Sequence, residues 1–335
     1  MFLTFLVGIL DMVTGIELSV SLFYLIPIAI TSWFLGKRAG LFISLLSGII
    51  WFVSDAILND TYSHPLIPYW NALVLLGFFV IVTIILSALK AAIEMENNLA
   101  IKVQQGLLPK QAPSFAGYKT SLVWKPKSFV SGDYYDFINV NTHGLGICLG
   151  DVAGHGVSAA LLMSNLQAAV RLLSHQDNSS DKICLKINEF LLENELPGKF
   201  ITFFYGIVNR ENNSFEYTNA GHNPPILISP DGKIRKLESG GPVLGVTQTQ
   251  EYKSETIPLS EGDKIILYTD GLIEVKNSAG EYYDEERLLK ACQMNRSLDC
   301  EEMSDKIMQS VSEFCGGVFE DDVTLLILSH NLINR

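Results

Sequence analysis

The 335-residue sequence is poor in positive charge, and almost none of it falls near the beginning. Lys and Arg together number 24 against 36 Asp and Glu, a formal net charge of −12. No basic stripe runs along any segment, which excludes the electrostatic footprint of a nucleic-acid-binding surface. Cysteine is scarce and unpatterned. Cys148, Cys184, Cys292, Cys300 and Cys315 form no CxxC pair, and none precedes residue 140. That reads as free thiols in a reducing cytosol and excludes a disulfide framework.

The first ninety residues hold only Lys37, Arg38 and Lys90 against Asp11, Glu17, Asp55 and Asp60. Apolar runs fill the space: 16–35, 41–58 and 69–89, each near the ~20 residues needed to cross hydrocarbon. Residues 1–10 are a shorter fourth candidate without the basic start of a secretory signal. Residues 1–90 therefore read as a membrane domain of three or four helices, with Pro27 expected to kink one of them. The cations set the orientation. Lys37, Arg38 and Lys90 belong on the cytoplasmic side, and the cation-free loop 59–68 on the other. Everything after residue 90 is then cytoplasmic, on a multi-pass protein of the cytoplasmic (inner) membrane.

Residues 91–110 read as a helical, coiled-coil-like linker. Leu86, Leu89, Ile93, Glu96, Ala100, Val103 and Leu107 recur in alternating steps of three and four, apolar except at Glu96. About three heptads are the minimum for a coiled coil, so the seam fits either a homodimer or one amphipathic helix lying on the next domain.

From 111 onward strands and helix pairs alternate. Strands are expected over 121–125, 134–140, 145–149, 202–209, 214–218, 225–229, 264–269 and 323–329, and helices over 158–174, 180–195, 284–294 and 300–314. This is an α+β layered pattern.

One stretch organises this part. At 150–156 an apolar strand ends in Gly-Asp-Val-Ala-Gly-His-Gly, delivering one carboxylate to a loop where the backbone approaches something closely. Three further acidic sites lie beside glycine or at the edge of an apolar strand: Asp133 after Gly132, Asp270 before Gly271, and the pair Asp321–Asp322 before 323–328. Carboxylates at four strand ends suggest one hard-cation site, and oxygen-only ligands suit magnesium or manganese rather than zinc.

These blocks, in order, resemble the bacterial branch of the PPM (type 2C-like) metal-dependent Ser/Thr protein phosphatases. That branch contains stage II sporulation protein E and the sigma-factor-regulator phosphatases. The blocks read Gly132-Asp133-Tyr134-Tyr135-Asp136, Asp151 to Gly156, Ala220-Gly221-His222-Asn223-Pro224-Pro225, Thr269-Asp270-Gly271 and Asp321-Asp322-Val323-Thr324. Val103-Gln104-Gln105 with Leu107-Leu108-Pro109 is similar to the segment preceding such domains. The resemblance covers about residues 104–329 and implies an αββα sandwich over 111–335, with two antiparallel sheets between helices.

It also implies a chemistry: two Mn2+ or Mg2+ ions about 3.5–4 Å apart grip the phosphoryl oxygens and turn a bridging water into hydroxide. By the family pattern Asp151 bridges both ions. Asp133 and the Val152 carbonyl complete one, and Asp270 with one of Asp321 and Asp322 holds the other. Asp321 is favoured as ligand by alignment with the eukaryotic pattern, with Asp322 behind it. The implied substrate is phosphoserine or phosphothreonine on a STAS-type anti-sigma-factor antagonist. A catalytically weak scaffold binding such a partner in response to a membrane signal is the alternative.

Two departures stand out. His155 lies four residues after Asp151, not two as in the eukaryotic relatives, so the same general-acid role does not transfer. No phosphate-gripping arginine is evident; Lys127 is a weak stand-in. Asp136 reads as a loop organiser, Asn219 and Thr269 as loop-holding, and His222 as either structural or near the site.

Overall fold

The computed structural model describes residues 1–14, 20–58, 62–111, 113, 115–176, 179–193, 198–248 and 251–331. Expectations that fall on 15–19, 59–61 and 194–195 lie outside them. The chain divides into two units, Met1–Leu99 and Ala100–Arg335.

The first unit is helical. It contains α1 (Phe2–Thr14), a 3-10 turn at Ser21–Tyr24, α2 (Leu25–Phe34), α3 (Lys37–Leu58) and most of α4 (Ile67–Leu107). Lys37–Ile57 and Ile67–Leu107 are long and apolar enough to cross a membrane, while Phe2–Thr14 and Ser21–Phe34 are shorter apolar helices. Bulky side chains such as Phe2, Phe34, Leu35 and Tyr69 face outward, whereas Thr4, Ser32, Ser44, Ser47, Ser54 and Thr83 are buried. The Ser44 and Thr83 hydroxyls meet at 2.8 Å, and the Ser32 hydroxyl donates to the Ile28 carbonyl at 2.6 Å. Small polar residues at helix contacts are how helices associate when the surroundings are as apolar as leucine. The Lys90 ammonium donates to the carbonyl of Trp33, in the last turn of α2, at 2.6 Å.

Two expectations change here. The span expected over 16–35 is helical only from Ser21 among the described residues. Pro27, expected to kink a helix, stands in the first turn of α2. The first N–H groups of a helix have no intrahelical acceptor, so a proline there removes nothing and presets φ. Helix α4 runs without a break from the last apolar run through the expected linker.

The second unit is an α+β sandwich. One sheet orders β1 (Tyr118–Lys125), β11 (Val323–His330), β10 (Lys264–Tyr268), β6 (Ile226–Ile228) and β7 (Ile234–Lys236). The other orders β2 (Tyr134–Asn139), β3 (Gly144–Val152), β4 (Ile201–Asn209), β5 (Ser214–Ala220) and β8 (Gly240–Gly241), with β9 (Glu255–Pro258) also paired to β5. All pairs are antiparallel except the two-residue β5–β8 pair. Helices α5 (Val157–Ser174) and α6 (Ser180–Glu193) cover the second sheet, and α7 (Asp284–Met294) and α8 (Cys300–Cys315) the first.

One core fills the space between the sheets and under α5 and α6, including Leu149, Leu166, Phe203, Tyr217, Leu267 and Leu326. A second lies under α7 and α8, including Ile266, Tyr268, Leu288, Ile307 and Leu325. β11 serves both by period-2 alternation. Val157–Ser174 is also long and apolar enough to cross a membrane, but its Leu162, Met163, Leu166 and Val170 are buried in the sandwich core. Strands β7, β8 and β9 were not expected. Two to four residues cannot display an alternation.

Candidate metal centre

The sandwich gathers the strand-end acids at one edge. Tyr134 pairs with Gly150, so Asp133, immediately before β2, continues that register toward Asp151 at the end of β3. Tyr268 pairs with Leu325, so the β10 exit at Thr269–Asp270 and the β11 entry at Asp321–Asp322 also lie together. Antiparallel pairing does this: one strand's end adjoins its neighbour's start.

Asp133 is almost fully buried. Its Oδ2 accepts hydrogen bonds from the hydroxyls of Thr324 at 2.5 Å and Thr269 at 3.0 Å, so the β10–β11 edge of one sheet orients a carboxylate that precedes β2 of the other. Burial pushes its pKa well above the usual range and the Asp151 charge adds to this, while the two hydroxyls oppose it. Asp151 is pushed up to about 8, first by burial and then by the charges of Asp270, Asp321, Asp322 and Glu274. Asp270 is raised by burial, Glu274 and Asp321, against the Gly271 backbone N–H. Among the described residues none of these acids forms an ion pair with Lys, Arg or His.

Asp322 is buried and fully used. Its Oδ1 accepts the Lys127 backbone N–H at 2.7 Å and its Oδ2 the Gly132 N–H at 2.9 Å, tying the 127–132 loop down. Asp321 is exposed, and its Oδ1 accepts only the Asp322 N–H, at 2.8 Å. Gly132 lets that loop approach: a Cβ there would stand 3.1 Å from the Val152 carbonyl oxygen, the main-chain group expected to serve as a ligand.

The other sequence-level candidates sit elsewhere. Asp136 is buried away from the cluster, where Arg171 of α5 grips it with Nε at 2.7 Å and Nη2 at 3.2 Å, and the Tyr134 hydroxyl donates to it at 2.9 Å. It fastens α5 to β2 rather than shaping the loop alone. His155 is exposed. Lys127 contributes its backbone to Asp322 and leaves its side chain exposed. His222 is buried behind the cluster, against Thr202.

Three participants escaped the sequence reading. Glu274, four residues after Asp270, adds negative charge to Asp151 and Asp270. The Thr324 hydroxyl is the shortest contact to Asp133, visible in retrospect as the threonine two residues after Asp322. Gln104, in the last turn of α4, holds Ser131 two residues before Asp133: Nε2 donates to its carbonyl at 2.7 Å, and Oε1 accepts its N–H at 3.0 Å.

A divalent cation fits this chemistry. The donors are oxygens, the carboxyls are forced together against their charge, and among the described residues no side-chain cation pairs with them. Among the described residues no three His, Cys, Asp or Glu side chains already stand around one point at ligand geometry.

The comparisons with known proteins agree with the fold. Residues 141–331 match the family described as stage II sporulation protein E (SpoIIE). The phosphoserine phosphatase RsbU of Bacillus subtilis (strain 168) is 30% identical over 244 residues, 72% of each chain. The phosphoserine phosphatase RsbP of the same organism is 26% identical over 183 residues, 53% of this chain but only 45% of RsbP. Among solved structures, the SiaA-PP2C domain of Pseudomonas aeruginosa superposes with a TM-score of 0.64 at 22% identity, covering 72% of this chain and 98% of that domain. That superposition shows that the two share a fold. The chain therefore belongs to the stage II sporulation protein E family of PP2C-type protein phosphatases.

Proposed function

We infer that the chain is a membrane-anchored protein serine/threonine phosphatase that removes phosphate from a STAS-type anti-sigma-factor antagonist and so regulates a sigma factor by partner switching. The observation carrying this is the convergence of Asp133, Asp151, Asp270 and Asp321 at one sandwich edge, unpaired with side-chain cations, in a chain of this family. Similarity to two chains named phosphoserine phosphatase supports the substrate class.

Asp133, Asp151, Asp270, Asp321 and the Val152 carbonyl would hold two Mn2+ or Mg2+ ions. When bound, these supply Lewis-acid polarisation of the phosphoryl oxygens and lower the pKa of the attacking water. The chain's residues do the rest. Thr324 and Thr269 fix one oxygen of Asp133, leaving the other for a cation. Asp322 keeps the 127–132 loop against the Val152 carbonyl. The spacing of the acids, no three of which surround one point among the described residues, favours the weaker reading, a scaffold that binds a phosphoprotein without turnover. The complete acid set favours the enzyme.

One assay separates them. The full chain in detergent micelles is given a phosphoserine-bearing STAS-domain protein, with Mn2+ or with chelator. Phosphate release that needs Mn2+ or Mg2+ is expected. Release surviving complete chelation sinks the metal reading, and no release with bound Mn2+ leaves the scaffold.

The membrane reading rests on the apolar helices and the placement of Lys37, Arg38 and Lys90. A reporter after Arg335 should behave as cytoplasmic and one at 63–65 as external; reversed labelling overturns the orientation. Leu89, Ile93 and Val103 of the linker seam are exposed in the single chain, which supports pairing with a second copy. Ile93→Lys should lower the mass of the full chain in solution, and an unchanged monomeric mass removes the dimer.

A further inference from the structure

His222 belongs to the one block, 220–225, that the acid cluster leaves unexplained. Its position is strongly specified. Gly221 adopts φ +70°, in the left-handed region that favours glycine. The Asn219 side chain accepts the His222 N–H at 2.7 Å and donates to the His222 carbonyl at 3.0 Å. The ring is thereby set into the interior, 4% exposed.

Its Nδ1 lies 2.8 Å from the Thr202 hydroxyl. Thr202 is on β4, directly opposite Asp151 on β3. From the other sheet the peptide carbonyl of Tyr268 acts on the ring as an acceptor, opposing the lowering of its pKa by burial. Tyr268 is the last residue of β10 and is followed by Thr269 and Asp270. Nε2 is buried without a partner at full hydrogen-bond geometry.

The strand register explains why that carbonyl needs a donor. β10 pairs with β6 as Lys264↔Ile228, Ile265↔Leu227 and Ile266↔Ile226, and pairing stops there. Continued by two, the register places Pro224 opposite Tyr268. Proline has no N–H to give, so the ladder ends and the Tyr268 carbonyl is left over. A buried carbonyl without a donor is costly. The imidazole of His222, two residues before that proline, is a donor from the same segment.

We propose that His222 is a positioning residue that spans the two sheets behind the acid cluster, accepting from the Thr202 hydroxyl at Nδ1 and donating from Nε2–H to the Tyr268 carbonyl. It thereby fixes the separation between the strand of Asp151 and the strand leading to Asp270. Burial holds the ring neutral, with its pKa lowered to about 4, so one nitrogen accepts while the other donates. The inference rests on reading the acids as a metal site.

The test uses the full chain in detergent micelles, Mn2+ titrated by electron paramagnetic resonance, and metal-free melting. His222→Ala is expected to weaken Mn2+ binding about tenfold or more, as loss of groups behind metal ligands does. It should lower kcat at saturating Mn2+ while KM for the phosphoprotein stays within about twofold, since substrate contacts are untouched. Pro224→Ala in the His222→Ala background gives the main chain back a donor opposite Tyr268 and should recover part of the affinity and of the melting temperature. Nitrogen-15 histidine spectra should show one of the six histidines locked as the Nε2–H tautomer, and lost in His222→Ala.

Wild-type Mn2+ affinity in a folded His222→Ala chain, or the Nδ1–H tautomer, overturns the proposal. If that variant does not fold, Thr202→Val decides: it keeps the shape and removes the donor, so weaker Mn2+ binding supports the span and unchanged binding refutes it. If the unaltered chain binds no Mn2+, the metal reading fails instead, and the tautomer with the melting recovery by Pro224→Ala still decides the span.

Discussion

The two units solve one problem in opposite directions. In Met1–Leu99 many bulky apolar side chains face outward around a small core of Val7, Tyr24, Ile28, Ile43 and Phe79, and the buried hydroxyls of Ser32, Ser44 and Thr83 bond to one another or to helix carbonyls. In Ala100–Arg335 the apolar side chains fill two cores, and buried polar groups gather where β2, β3, β10 and β11 meet. The difference shows that burial by itself says little about a side chain; what lies outside decides. On the membrane reading of the first unit, hydrocarbon offers nothing to a hydroxyl, so small polar residues seek each other at helix contacts. Water offers a carboxylate so much that crowding several buried and half-buried acids together without cations is unfavourable, and such a cluster persists where function requires it.

The comparison is sharpest at Asp151. Asp151→Asn should reduce phosphatase turnover by about three orders of magnitude or more, as expected when a bridging ligand of a catalytic ion is lost. The same change should raise the metal-free melting temperature, because it removes one of the mutually repelling acids. Near-normal turnover, or a lower metal-free melting temperature, breaks the reading that the cluster sacrifices stability for chemistry.

Arg171→Met tests the opposite case within the same unit, a buried acid that does have its cation. Removing the guanidinium leaves Asp136 buried and unpaired, which typically destabilises by about 3–5 kcal/mol. Arg171 is itself half-exposed, so the lower end is expected. Denaturant unfolding measures it, and a loss under about 1 kcal/mol would show that the Tyr134 hydroxyl and the Phe137 N–H suffice to hold Asp136.

Acidity separates the paired from the unpaired acids. A carboxyl whose folded pKa is raised keeps its proton in the folded state after the unfolded chain has released it. That stability is fully present below about pH 4 and is lost as pH rises to the folded value. For Asp151 the window runs from the ordinary aspartate value of 3.8 to about 8. The metal-free chain should therefore melt at progressively lower temperature from pH 5 to pH 8, and Mn2+ should restore more at pH 8 than at pH 5 because binding releases protons. Melting scans with chelator and with Mn2+ check it; a Mn2+ gain independent of pH would break the link between cluster and cation.

The smallest effect belongs to the first unit. Thr83→Val removes the hydroxyl that meets Ser44 and should cost about 0.6 kcal/mol, the average for an interhelical hydrogen bond in a membrane protein. Steric trapping or unfolding in mixed micelles measures it. A cost several-fold larger would mean that the helix contacts depend on polar partners as strongly as the sandwich does.

Composition and spacing alone determined the helical beginning, the alternation of strands and helix pairs, and the order of the five blocks that mark the family. Those signals are local: a lack of charge over ninety residues, period-two runs, and acids beside glycine at strand ends. Tertiary structure decided the rest, because the remaining choices depend on partners far away in sequence. Val157–Ser174 has the composition of a membrane span, and only the sheet beneath it makes it a sandwich helix. Pro27 stands in the first turn of α2, directly after a 3-10 turn, a position that the apolar run does not reveal. Asp321 and Asp322 are indistinguishable by type. The Lys127 and Gly132 N–H groups, nearly two hundred residues earlier, occupy both oxygens of Asp322 and leave Asp321 exposed. His222 has no recognisable task in the sequence. It acquires one when antiparallel registers set Thr202 opposite Asp151 on one side and end a strand ladder at a proline on the other.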